Sequence, residues 1–303
     1  MLLAVPALFP VLSSCGVASV ESQGGGPPVV EEVPAPSGPD TSVPGESSGG
    51  ALSHPTGAED VVVRIANEGG FTTAQNSFGV VPQLLVTGDG TTYRPGAQIA
   101  IYPGPLLPTI ERFSVTEDRI QSVLALAEEL GLFRDVTDTS LSSYVADAGT
   151  TTVTLAVGDE TYRWSVYALG MNAPDTEDPA TSADREAVSR FVNEAPGLLG
   201  DGTDAVIAEP DAFAVSWIES DPGAADPSID VDVRPWPESF PSPAGVSCVE
   251  VDGDLVRAEL GDATQATYLI LPAGSSDPAT SDALGEVDVL PLVRALLPGS
   301  EGC

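Results

Sequence analysis

Between residues 59 and 303 the apolar positions recur mostly every second residue, and in two places every third or fourth. Asp60 to Ile65 (DVVVRI) has the β-branched content of a strand. Val80 to Arg94 reads as strand, turn and strand hinged at Gly88-Asp89-Gly90, because Asp-Gly tolerates the positive φ of tight hairpins. Gln98 to Tyr102 is a further short extended piece. Thr150 to Leu169 predicts a second hairpin about Gly158-Asp159, with Val153, Leu155 and Val157 alternating before it and Tyr162, Trp164 and Val166 after it. Such alternation marks antiparallel strands with one face buried.

Two stretches carry the helical period instead. Ile120, Val123, Leu124, Ala127 and Leu130 are spaced for one helix face, after the capping-box pattern Ser114-Val115-Thr116-Glu117 and before a stop at Gly131. Ser182 to Ala195 predicts a second helix with Ala187, Val188, Phe191 and Val192 on one face and Pro196 beyond its end. Together these elements predict one α+β domain over 59–200. A smaller β-rich domain is expected over 205–303. Its strands are Phe213 to Ile218, Ile229 to Val233 and Thr267 to Leu271, with a third hairpin in Val246 to Leu260 about Asp252-Gly253. Val287 to Leu297 closes it as a strand or helix around Pro291. The fold class is therefore α+β: small antiparallel sheets built from hairpins with one or two packed helices, after a disordered N-terminal tether.

The N-terminal region follows neither period. Met1 to Leu12 (MLLAVPALFPVL) is apolar, interrupted by Pro6 and Pro10, and shorter than the roughly 20 residues a spanning helix needs. It runs into Leu12-Ser13-Ser14-Cys15, a hydrophobic residue, two small residues and a cysteine. From Gly16 to Gly57 the chain is dense in Gly, Pro, Ser and Glu and has no aromatic residue. Such a segment buries too little apolar area to offset chain entropy and reads as an extended spacer. The expected organisation is a signal peptide over 1–14, a tether over 15–58, then the two domains.

The Leu12–Cys15 pattern resembles the lipobox of bacterial lipoproteins. The resemblance implies cleavage before Cys15 and a diacylglycerol on its thiol, which would anchor the chain to the extracytoplasmic face of the cell membrane. All eleven basic residues are Arg, against 45 acidic residues and a net charge of −34. This Lys-free, acidic usage resembles that of secreted lipoproteins of actinobacteria, in style rather than in any further motif. The charge disfavours nucleic acid. The partners expected are the membrane, through the lipid, and an envelope protein or ligand; no cofactor is expected. With Cys15 lipidated, Cys248 and Cys303 remain as an even pair for a disulfide in an oxidising compartment. That bridge would close a loop of about 55 residues and stabilise by about 4 kcal/mol on loop entropy.

Catalytic patterns are sparse. Gly45-Glu46-Ser47-Ser48-Gly49 matches G-x-S-x-G but lies in the tether, beside the single histidine, His54. A nucleophile elbow needs a strand before it and a helix after it, so the match reads as an accident of composition. Asp230 with Asp232, Asp252 with Asp254 and Asp201 with Asp204 are paired carboxylates, none in a calcium-loop pattern. Trp164 and Trp217 read as core. Trp236, between Pro235 and Pro237, is the candidate ligand contact, because the flanking prolines keep it out of a central strand. The function expected is that of an envelope binding or interaction module. The alternatives are a carboxylate-dependent hydrolase of wall polymer or peptide, and a structural spacer.

Overall fold

Two sheets and four helices make up the folded part of the chain, in a computed structural model that describes residues 50–171, 178–273, 275 and 286–303. In chain order they are β1 (Val61–Gly69), α1 (Ala74–Phe78), β2 (Leu84–Thr87), β3 (Thr91–Pro95), β4 (Ile110–Ser114) and α2 (Glu117–Glu129). Next come β5 (Val136–Asp138), β6 (Gly149–Val157), β7 (Glu160–Tyr167), α3 (Pro179–Leu199) and β8 (Val206–Ile207). The last are β9 (Ala212–Glu219), β10 (Asp232–Pro235), β11 (Cys248–Asp252), α4 (Gly253–Leu260), β12 (Thr267–Leu271) and β13 (Val287–Ala295). The fold is α+β, and each sheet is antiparallel except for one parallel pair, β5 with β7 and β10 with β12. The first sheet has eight strands in the order β5-β7-β6-β1-β2-β3-β4-β8, and the second five, β10-β12-β13-β9-β11.

The middle of the first sheet is covered on both faces, which is why β2 is a run of buried residues rather than an alternation. Leu84 and Val86 join Ile120, Val123 and Leu124 of α2 and Val188 and Phe191 of α3 in one cluster. Leu85, with Ile110 of β4, points the other way into a cluster with Phe213 and Val215 of β9 and Val289 and Val293 of β13. Helices thus lie on one face and the second sheet on the other. The expected domains 59–200 and 205–303 are not separate bodies: residues 49–303 form one compact unit. The boundary also misses β8, which pairs with β4 as the edge of the first sheet.

Several expectations need correction. The third hairpin is half strand and half helix. Asp252 accepts from the backbone N–H of Asp254 and Leu255 and so caps α4, which buries Val256 and Leu260. Asp-Gly here starts a helix, since an Asx cap and a hairpin turn begin with the same residues. The capping box at Ser114 does not form: Ser114 ends β4, Thr116 is the N-cap without a side-chain bond, and α2 begins at Glu117. The second long helix runs through Pro196 to Leu199, burying Arg185, Val188, Phe191, Ala195 and Leu199 along one stripe. Val287–Ala295 is a strand, in which Pro291 lies beyond Val289, the last residue paired with β12, so its missing N–H takes nothing from that ladder.

Residues 50–58, expected within the tether, are part of the folded unit. Residues 50–58 lie as an extended strap on α2 and the β2–β3 turn. Gln121 acts like a strand partner for Leu52, whose N–H donates to Gln121 Oε1 at 2.7 Å and whose carbonyl accepts from Nε2 at 2.8 Å. The His54 side chain is only 4% exposed and bonds Glu117 at 3.1 Å. Gly88 lets the turn close against the strap, because a Cβ there would sit 2.4 Å from the Pro55 carbonyl. The leader, Cys15 and the G-x-S-x-G pattern lie outside the described residues.

Candidate functional site: an arginine-lined cleft

Two clefts flank α1 between the sheets, and their polar groups are used differently. The first, of about 440 Å³, is lined by the amides of Asn67, Gln75, Asn76, Gln98 and Gln265. Three of these bond within the protein. Gln75 Nε2 donates to the carbonyls of Gln265 and Pro291, and Gln265 Nε2 donates to Asn76 Oδ1. Those bonds tie α1 to the second sheet, while the side-chain amides of Asn67 and Gln98 make no hydrogen bond among the described residues.

The second cleft, of about 610 Å³, holds Arg64, Arg163 and Arg294 together with Glu68 and Glu301. Strand register creates it. Arg64 is paired with Leu85 on β2 and with Thr154 on β6, and Thr154 is paired with Arg163 on β7. Paired residues share a face, so Leu85, Arg64, Thr154 and Arg163 form one row across four strands. Leu85 belongs to the cluster shared with the second sheet, which fixes the side on which the row lies. The two arginines are two strands apart, about 10 Å between Cα atoms. A bulge sets the phase of β1: Val61 pairs with Thr87 and Val63 with Val86, leaving Val62 as an extra residue. Val62 and Val63 both join the helix-side cluster, while Val61 and Arg64 face the cleft.

The other walls come from far along the chain. Ser77 and Phe78 of α1, with Val80 and Pro82, line one side. Gly299, Ser300 and Glu301 line another. Arg294 joins the two: its guanidinium carbon lies 4.8 Å over the Phe78 ring, and Nη2 donates to the carbonyls of Glu301 and Gly302 at 2.9 and 3.0 Å. The Cys248–Cys303 disulfide, with a Cα–Cα distance of 5.4 Å, and a bond from Cys303 N–H to Glu250 Oε1 hold the same tail against β11.

Within the cleft, Arg64 is committed. Its Nη2 bonds Glu68 Oε1 at 3.0 Å and its Nη1 approaches Thr152 Oγ1 at 3.4 Å. Arg163 is not. Its backbone N–H donates to Asp135, but among the described residues its guanidinium makes no hydrogen bond, ion pair or ring contact. The carboxylate of Glu301 likewise has no partner among them. An uncommitted guanidinium keeps all five donors for an incoming oxyanion.

The residues singled out from sequence lie elsewhere. Trp236 is 7% exposed in the second cluster, edge-on to Trp217 at 5.3 Å and Phe240 at 5.7 Å, with Nε1 donating to the Pro241 carbonyl. It lines neither cleft; the prolines fold it inward rather than presenting it. Trp164 is fully buried and donates to the Leu132 carbonyl. Four of the six paired carboxylates serve local structure: Asp232 pairs with Arg234, Asp252 caps α4, Asp254 pairs with Arg257, and Asp201 accepts from the Thr203 N–H. Among the described residues no group of three or more His, Cys, Asp or Glu is arranged to hold a metal ion. Nor is any helix among them long and apolar enough to cross a membrane. The arginine row was missed because it depends on register between strands 90 residues apart in sequence.

Comparison with known proteins finds no matching family model, no matching curated protein and no matching solved structure.

Proposed function

We propose that this chain is an envelope lipoprotein, anchored through Cys15 on the extracytoplasmic face of the cell membrane, whose folded unit is a binding module. Its ligand site is the arginine-lined cleft, and the ligand enters with an oxyanion on Arg163. One observation carries this reading: a guanidinium without a partner among the described residues lies in a cleft of a chain that has 45 acidic residues for 11 basic ones. The disulfide supports the compartment, since such bridges persist outside the cytosol.

The hydrolase reading has one observation in its favour, that Glu68 and Glu301 line the same cleft. Glu68 is already bonded to Arg64, which commits its carboxylate within the fold. The spacer reading leaves the cleft unexplained.

Two measurements test the proposal. Titration calorimetry with acetate, succinate and inorganic phosphate should detect binding that Arg163→Ala removes, with no turnover of peptide or glycan substrates. Binding of none of the three, or equal binding to Arg163→Ala, would overturn the ligand site. Membrane fractionation of Cys15→Ser should release the chain into the soluble fraction; retention with membranes would overturn the anchor.

A further inference from the structure

The cleft presents charge of both signs. Arg163 projects from the first sheet and Glu301 from the C-terminal segment, and both line the same space without pairing with each other or with any other described side chain. Of the other charges there, Arg64 and Glu68 pair with one another, and Arg294 lies against Phe78 with Nη2 on the tail carbonyls and its buried Nε without a partner among the described residues. The same lining also includes uncharged residues: Thr154 and Thr161 from the sheet, Ser77 from α1, Val80 and Pro82 beside it.

A ligand that carries only an oxyanion would satisfy Arg163 and bring a second negative charge towards Glu301. A ligand carrying only an ammonium would do the reverse. A molecule with an oxyanion at one end and an ammonium at the other satisfies both, and the hydroxyl and apolar lining suits a short uncharged chain between them. From this juxtaposition we infer that the cleft takes a small zwitterion of the amino-acid kind, its carboxylate or phosphoryl group on Arg163 and its ammonium on Glu301. The inference rests on the reading of this cleft as the ligand site and adds the class of ligand.

The position of Glu301 makes the site conditional on the tail. Glu301 is two residues from Cys303, and its backbone carbonyl is one of the two that Arg294 holds. Ser300 N–H donates to the Leu297 carbonyl and Leu297 N–H to Ser300 Oγ, closing a turn immediately before it. The ammonium-binding half of the site is therefore built by the disulfide-held end of the chain, and the oxyanion-binding half by the sheet.

The test is calorimetry on the full chain carrying Cys15→Ser. The zwitterionic probes are glycine, 4-aminobutyrate, 6-aminohexanoate and phosphoethanolamine. The single-charge probes are butyrate, inorganic phosphate and butylammonium. At least one zwitterion should bind ten times more tightly than its single-charge counterpart, and the best spacer length measures the gap between Arg163 and Glu301. Whether an aminocarboxylate or phosphoethanolamine gains more identifies the oxyanion. Glu301→Gln should abolish the zwitterion advantage while leaving butyrate and phosphate binding unchanged or tighter, with an unaltered melting curve. Butyrate binding as tightly as every zwitterion, or a zwitterion advantage that survives Glu301→Gln, would overturn the inference and leave the oxyanion site standing. Binding of no probe would overturn both.

Discussion

Arg185 Nη1 lies 2.6 Å from Asp138 Oδ2, with both side chains more than nine-tenths buried. Asp138 ends β5, and Arg185 projects from α3. The same guanidinium donates to the carbonyls of Tyr167 and Ala168, where β7 ends. One side chain thus joins a helix to the ends of two parallel strands. Replacing Arg185 with Met would leave a buried carboxylate without its counter-charge, at about 3–5 kcal/mol. Asp138→Asn combined with Arg185→Met should cost less than the sum of the two single changes, by at least about 1 kcal/mol. Urea unfolding of the four proteins checks this. Additive losses would mean that the pair is not coupled.

Acid should act on the same residue. Burial pushes the Asp138 carboxyl up, but the Ser140 backbone and hydroxyl and the Arg185 guanidinium together outweigh it and hold the carboxyl below the ordinary aspartate value. Asp89 is lowered too, chiefly by the Thr87 hydroxyl and the Thr91 backbone across its turn. A depressed folded value means stability that is complete above the unfolded value of about 3.9 and is lost as pH falls through the folded one. The melting temperature should therefore drop on acidification below pH of about 4. In Asp138→Asn with Arg185→Met that drop should be smaller, and an unchanged slope would remove Asp138 from the account.

The strap over α2 predicts a local effect. Gln121→Ala removes both bonds to Leu52 and one to Glu117, and should destabilise by about 1–2 kcal/mol. Because the strap is held to α2 through Leu52 and His54, hydrogen exchange should speed up in residues 50–58 before it does so in β1 or α2. Gly88→Ala should loosen the strap as well, by contact with the Pro55 carbonyl. Uniform exchange across all three segments would show that the strap has no local equilibrium of its own.

Loss of the disulfide should act twice. Cys303→Ser removes a cross-link spanning 55 residues and should lower stability by about 2–4 kcal/mol, read by urea unfolding in oxidising buffer. It also frees the segment that carries Gly299, Ser300 and Glu301, so ligand binding at the cleft should weaken by more than the stability loss explains at temperatures where the protein is folded. Reduction of the native chain should reproduce both changes. Binding indifferent to reduction would separate the tail from the site.

Elements whose signal is local were legible in the sequence. The alternation of Val153, Leu155 and Val157 against Tyr162, Trp164 and Val166 yields β6 and β7, and the spacing from Ile120 to Leu130 yields α2. Asp252-Gly253 was ambiguous because the same residues cap a helix and turn a hairpin, and only burial of Val256 and Leu260 decides between them. Pro196 misled because its fixed φ is helical; the stripe continuing to Leu199 keeps the helix going past it. Trp236 misled because the prolines beside it constrain its backbone without saying which way the indole turns. The cleft was not legible at all. Arg64, Arg163, Arg294 and Glu301 come from three strands and the tail, and nothing in their spacing places them together.

The bulge in β1 has a consequence for length variation. Val61, Val62 and Val63 contain one residue more than the pairing with Val86 and Thr87 needs. A chain shortened by one valine there would restore regular alternation and still aim Arg64 at the cleft, forfeiting only one buried side chain. The same deletion between Arg64 and Glu68 would turn Glu68 towards the helices and sever its bond to Arg64. Tolerance to losing a residue should therefore fall sharply within a single strand, at the point where the bulge ends and the row facing the cleft begins.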